Sequence, residues 1–340
     1  MPSTNIAELL RGCEVGRIQT VGFMQVIPLI SDTVNDRFVS PTKAKFSTRG
    51  YGEMDFDNES DQEMIVPAHT GYLVKQAAQN HAMCSAGLIK AKSHKQFTDA
   101  ACIQQTQGGL ISKGSHDMVI LPAPLREPAY RLRGENSYSK LWPAITALNK
   151  KAGLSRTEGH LDYFLDHYAD QLDQFVAEFE IVNKQVGAII LVNGKVIGIE
   201  RVPNYEYWED VWQPLIRECY GSMAILEARD NGEVPTPPKT RVALRRANSI
   251  EDLQDALDEA SKEEYEKVKS LVNAISTLDI EYKQEGTSGN AKLQGTASTA
   301  ENRFIGQVVR DKEAVVYASL ISTEKYRENE EWLNAKPFAM

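Results

Sequence analysis

The chain has 340 residues, of which 42% are hydrophobic and 25% charged, and a formal net charge of -9. That apolar content is enough for a sizeable core and excludes wholesale disorder, and the length fits about two domains. The acidic balance disfavours nucleic acid and anionic lipid as main partners, because a phosphate backbone is bound by clustered Lys and Arg.

The four cysteines, Cys13, Cys84, Cys102 and Cys219, form no C-x-x-C pair, so no structural zinc site is expected. Scattered single thiols fit a reducing, cytoplasmic setting. The polar start Met1–Ile6 has no basic segment followed by an apolar run, so no signal peptide is expected. No apolar stretch approaches the roughly 18 residues of a membrane span.

The first third reads as β structure. Val26-Ile27-Pro28-Leu29-Ile30 is a strand in which Pro28 cannot donate to a ladder, which predicts an edge position or a strand end. Thr48 to Asn58, rich in Gly and acids, reads as a loop or ribbon. Short strands follow at 64–66, 72–74, 86–90, 100–104 and 118–121, and Pro122, Pro124 and Pro128 close this part. Helices are predicted at 139–151, 161–179 and 208–228 from apolar residues at 3 and 4 spacing, with Pro214 near the start of the last or kinking it. Between them, Val186–Val192 and Lys195–Ile199 flank Asn193-Gly194, the strongest short hairpin signal. Both arms are apolar on both faces, so this hairpin should be central and covered on both sides.

Residues 230–239, with three prolines, read as a linker. Ser249 is placed to cap a helix whose apolar face slips out of phase between Ala260 and Tyr265, which predicts a bend or two helices. A strand at 278–282, a hairpin at 304–317 and a last helix capped by Ser322 complete the chain. The expected organisation is α+β. A mostly antiparallel β first domain with helices and a central hairpin (1–230) is followed by a Pro-rich linker (231–248) and a smaller helix-and-hairpins module (249–340). That module either stands alone or packs onto the first domain.

Standard catalytic motifs are missing: no phosphate loop, no G-x-G-x-x-G after a strand, no G-x-S-x-G and no H-E-x-x-H. His160, Asp162, Asp166 and His167 read as a solvated acidic helix start rather than metal ligands. Arg241, Arg245 and Arg246 read as a basic tether. The segments Gln79-Asn80-His81 and Cys102-Ile-Gln104-Gln105-Thr-Gln107-Gly108-Gly109 are dense in amides at strand ends. Amides donate and accept, which suits neutral recognition of a base, ribose or peptide edge. Gly108-Gly109 would let backbone N–H groups approach an anion, with Arg131 or Arg133 near phosphates. Cys102 with His81 is a conceivable nucleophile and base, although a lone strand cysteine is usually a small buried hydrophobe. No metal and no cofactor is assigned, and the residues do not decide between an enzyme and a binding protein.

Four places carry a family resemblance: Thr20–Leu29, Ala-Ala-Gln-Asn-His at 77–81, Cys-Ile-Gln-Gln at 102–105, and Val186 to Ala224 with Trp208 and Trp212. Over about residues 16–230 the chain resembles the uncharacterised bacterial and phage family named for its genomic association with ADP-ribosylglycohydrolases and rhodanese-type phosphatases. The chain departs from that pattern at Gln104, where the family carries Glu, and at His81, where it carries Arg. An amide cannot take up a proton at neutral pH, so the departure favours binding over catalysis. Two readings follow. The first is an interaction or assembly protein of a bacterial or phage cytosolic system, with protein partners or self-assembly into an oligomer. The alternative is a domain that binds or processes an ADP-ribose- or NAD-type nucleotide through the amide segments.

Overall fold

A computed structural model describes residues 3–74, 78–106, 108–110, 116–232, 250–297 and 303–328. The chain opens with β1 (Ser3–Asn5), α1 (Ile6–Leu10), β2 (Glu14–Val15), β3 (Gln19–Val21) and β4 (Met24–Ile30). The β-rich part follows with β5 (Phe38–Val39), β6 (Ala44–Ser47), β7 (Met54–Asn58), β8 (Glu63–Val66), β9 (Thr70–Val74), β10 (His81–Met83), β11 (Gly87–Ile89), β12 (Ser93–Phe97), β13 (Ala100–Cys102) and β14 (His116–Ile120). Four helices come next: α2 (Ala123–Arg131), α3 (Trp142–Lys151), α4 (Leu161–His167) and α5 (Ala169–Glu178). The hairpin β15 (Gln185–Val192) and β16 (Lys195–Arg201) leads into α6 (Tyr205–Pro214), a π turn (Leu215–Tyr220) and α7 (Gly221–Asp230). After the undescribed 233–249 come α8 (Ile250–Ser276), β17 (Asp279–Ser288), β18 (Ala291–Thr296), β19 (Phe304–Asp311), β20 (Ala314–Ser322) and α9 (Glu324–Arg327).

One antiparallel sheet organises the molecule, in the order β1-β17-β18-β19-β20-β16-β15-β4-β2, with β3 also on β4. The Asn193-Gly194 hairpin lies in its middle, and both turn residues have positive φ, 50° and 73°, as a type I′ turn requires. The arms alternate faces. Ala188, Ile190 and Val192 pack into the larger core under α2–α7. Ile189, Leu191 and Ile199 pack into a second core with α1 and the end of α8. The strands of 279–322 continue this same sheet, because β20 pairs with β16 from Gly198↔Ile321 to Arg201↔Ala318. The sheet therefore runs across the 231–248 boundary; residues 233–249, with Arg241, Arg245 and Arg246, lie outside the described residues.

Several expectations are corrected. β4 neither ends at Pro28 nor forms an edge: it lies between β15 and the short β2 and β3. Gly16 N–H donates to the Pro28 carbonyl at 2.8 Å. A strand residue points its N–H and C=O the same way, so the missing donor faces the gap between β2 and β3, where no ladder bond is lost. Part of 48–58 is the central strand β7 of the sheet β12-β7-β6. The β-rich part does close at the prolines as expected: β14 ends at Ile120, and Pro124 and Pro128 belong to α2, with Pro124 in its first turn, where a missing N–H is harmless. The 161–179 helix breaks at Tyr168, whose hydroxyl donates to the Ala152 carbonyl. Pro214 closes α6 and cannot bond back to Asp210; the helix widens into the π turn there. α8 is one helix, because residues 258–263 are exposed and the phase slip buries nothing wrongly. Thr323, not Ser322, occupies the N-cap position of α9.

A buried ion pair ties these layers together. Arg126 of α2, fully buried, donates through Nη1 to Glu200 Oε1 of β16 at 2.7 Å and to the Tyr220 hydroxyl at 3.0 Å. Its Nε donates to His69 Nδ1 at 3.1 Å, its Nη2 reaches Ser319 Oγ, and Tyr220 donates to Glu200 at 2.6 Å. Gly198 leaves the space that the Tyr220 hydroxyl occupies, since a Cβ there would overlap it. Burial is the largest influence and opposes the charge on Arg126; the Glu200 carboxylate, together with Cys219 and Tyr220, outweighs it, so the pKa is raised and the guanidinium stays protonated.

Candidate functional site

The amide segments do come together. β10 lies between β9 and β13, and His81 faces Cys102 directly. His81 Nδ1 is 2.9 Å from the Gln79 carbonyl. A carbonyl only accepts, so Nδ1 carries the proton and Nε2 presents its lone pair. Cys102 Sγ lies 3.4 Å from that nitrogen and donates to it. Burial pushes the His81 imidazole down to about 4 and the Cys102 thiol up to about 12. At neutral pH both are uncharged, whereas a nucleophilic cysteine needs its thiolate stabilised. Cys102 is also fully buried. The pair is a neutral hydrogen bond in a core.

Most neighbouring amides are consumed by backbone. Gln79 donates through Nε2 to the Gln104 carbonyl at 2.6 Å and accepts from Gly108 N–H at 2.9 Å. Asn80 Oδ1 accepts from Val74 N–H at 2.8 Å, and Gln105 Oε1 from Gly159 N–H at 2.8 Å. Gly109 accepts from Gln79 N–H at 2.8 Å. A Cβ on Gly108 would sit 2.8 Å from the Ala78 carbonyl carbon, so this glycine serves close backbone packing. Its N–H is already bonded to Gln79 and is not offered to an anion. Among the described residues of these segments, Gln104 Oε1 is buried without a hydrogen-bond partner. Gln107 lies outside the described residues. Arg131 is bonded to Glu127 at 2.7 Å and Arg133 to Glu285 at 2.8 Å, so both are engaged in ion pairs of their own.

The sequence reading missed a cleft of about 770 Å³, within the range of small-ligand sites. Its walls are β14 with the end of β9, residues 41–44, α5, α6 and the π turn. Asp117, Asp173, Glu209, Asp210 and Glu218 line it against a single arginine, Arg217, with Tyr72, Leu73, Met118 and Pro214 as apolar surface. Asp210 Oδ2 accepts from Ser40 Oγ at 2.5 Å and Thr42 Oγ1 at 2.8 Å, which fixes its carboxylate. Arg217 donates through Nε to Asp173 Oδ1 and through Nη1 to Glu218 Oε1, both at 2.5 Å. Glu218 is only 5% exposed, and burial lifts its carboxyl to about 7 against the pull of Arg217. Such a cleft focuses negative potential and attracts cations. The signal was present in Asp210, Gln213 and Arg217, at 3 and 4 spacing on one helical face, but the other walls bring Asp117 from β14 and Asp173 from α5, far away in the chain.

Among the described residues, no group of three or more His, Cys, Asp or Glu side chains is arranged to hold a metal ion. His160 Nδ1 lies 3.7 Å from Asp162 Oδ1 while the His160 ring stacks on Tyr163. No described helix is long and apolar enough to cross a membrane.

The pattern of the ARG and Rhodanese-Phosphatase-superfamily-associated Protein domain (ARPP-1) matches residues 12–320. The chain belongs to this family. The ARPP-1 match extends past residue 230 into β20, in keeping with the single sheet that joins β16 to β20. No curated protein and no solved structure matches the chain.

Proposed function

We propose that this ARPP-1 protein acts by binding, as an interaction protein of a bacterial or phage cytosolic system, and that the acidic cleft is its recognition surface. The observation that carries the reading is the charge of that cleft: five carboxylic side chains face one arginine in an open volume large enough for a ligand or peptide segment. The His81–Cys102 pair supports it from the other side, since a neutral thiol and a neutral imidazole in a core do not make a nucleophile. Partner capture with the wild type and with an Asp173→Asn, Glu209→Gln variant, followed by hydrogen exchange of the captured complex, tests it. Protection over 116–120 and 205–220, with weaker capture by the variant, is expected. Protection confined to 79–109 would contradict the assignment.

The ADP-ribose or NAD reading keeps one specific support, the unpaired Gln104 Oε1, which an adenine amino group or a ribose hydroxyl would satisfy. A pyrophosphate would be repelled from the acidic cleft, so such a ligand belongs at the amide segments. A thermal shift with ADP-ribose that disappears in Gln104→Ala would support it.

A further inference from the structure

We infer that the acidic cleft receives an arginine side chain of a partner protein, bound between the carboxylates of Asp173, Glu209 and Glu218 on the apolar surface of Leu73, Met118 and Pro214. This rests on the cleft being the recognition surface. Three observations converge on a guanidinium. The cleft has an excess of carboxylates on two walls, α5 and α6 with the π turn. Arg217 already lies between Asp173 and Glu218, so the local geometry accommodates a planar cation with forked donors. Glu218 is nine-tenths buried and spends Oε1 on Arg217. A carboxylate offers about four lone-pair sites, so the bond to Arg217 leaves acceptor capacity for an incoming N–H. The volume exceeds one side chain, which leaves room for the peptide carrying the arginine.

The carboxyl of Glu218, held near 7, gives this recognition a pH signature. Ionisation supplies the charge the arginine needs, so affinity rises with pH through about 7. The charged or titratable groups around it are Arg217 beside it, Asp173 of α5, Glu209 and Asp210 of α6, and His116 and Asp117 of β14.

The test is calorimetric titration of the full chain with the capped peptide Gly-Arg-Gly, its citrulline counterpart, and agmatine as a free guanidinium. The arginine peptide should bind, the neutral citrulline peptide should bind about tenfold more weakly or not at all, and affinity should fall when salt rises from about 50 to about 300 mM. Agmatine should bind more weakly than the peptide; equal or tighter binding would overturn the protein partner in favour of a free small cation. Glu218→Gln should weaken the peptide about tenfold and abolish the rise through pH 7. The double variant Asp173→Asn, Glu209→Gln, at exposed positions that leave the core untouched, should also weaken it. Equal binding of arginine and citrulline peptides, or full affinity in both variants, would overturn the inference. If those negative results accompany exchange protection of the cleft by a captured partner, the arginine is wrong and the recognition surface stands; without that protection both fail.

Discussion

Replacing Arg126 by Met removes the cation from a fully buried cluster while roughly keeping the side-chain volume. Glu200 is 3% exposed and would lose its bond to Arg126, retaining only that from Tyr220. His69 Nδ1 and Ser319 would each lose the same donor. Breaking one partner of a buried pair costs about 3–5 kcal/mol, chiefly because the other charge stays uncompensated. Replacing both, as Arg126→Met with Glu200→Leu, removes that uncompensated charge, so the double variant should be more stable than Arg126→Met alone. The coupling between the two sites should be about 2–3 kcal/mol, at the upper end for residues in contact. Urea unfolding of the four proteins, followed by tryptophan fluorescence and far-ultraviolet circular dichroism, measures it. Additive losses from the two single substitutions would refute the claim that the charges depend on each other.

Other outcomes follow from the same reasoning. The carboxyl of Glu218 is raised from 4.5 to about 7, so its contribution to stability is complete below 4.5 and is lost as pH rises through about 7. Glu218→Gln should therefore gain on the wild type across that window by up to about 3 kcal/mol in denaturant unfolding, and a difference flat in pH would count against the shift. The His81 imidazole is lowered from 6.5 to about 4, so the wild type should lose stability on acidification through that interval, by about 3 kcal/mol more than His81→Gln. Brief alkylation at neutral pH should modify Cys13, which is partly exposed, well before the buried Cys84, Cys102 and Cys219; rapid labelling of Cys102 would restore the nucleophile reading. Residues 1–230 produced alone would leave β16 without β20, and should unfold less cooperatively than the full chain or aggregate through the exposed edge.

The fold was legible where local chemistry and burial agree. Asn193-Gly194 between two apolar arms specified a central covered hairpin because no other short arrangement satisfies both the positive φ values and the two apolar faces. The strands at 64–66 and 118–121 were equally plain. Pro28 misled because its missing donor happens to face a gap between two short strands, which is a property of the neighbours. The amide segments were legible as polar strand ends, and His81 and Cys102 pair across β10 and β13; their near-complete consumption by backbone groups depends on loop paths that composition does not encode. The cleft escaped notice because its carboxylates come from α5, α6, the π turn and β14, elements separated by up to a hundred positions.

The most direct test of the account is a thermal-shift comparison at about pH 8 and low salt between an arginine-bearing peptide and ADP-ribose. The account predicts that the peptide raises the melting temperature, that salt or Glu218→Gln erases the rise, and that ADP-ribose leaves the protein unchanged. Stabilisation by ADP-ribose with no response to the peptide would contradict it and return the function to the amide segments around Gln104.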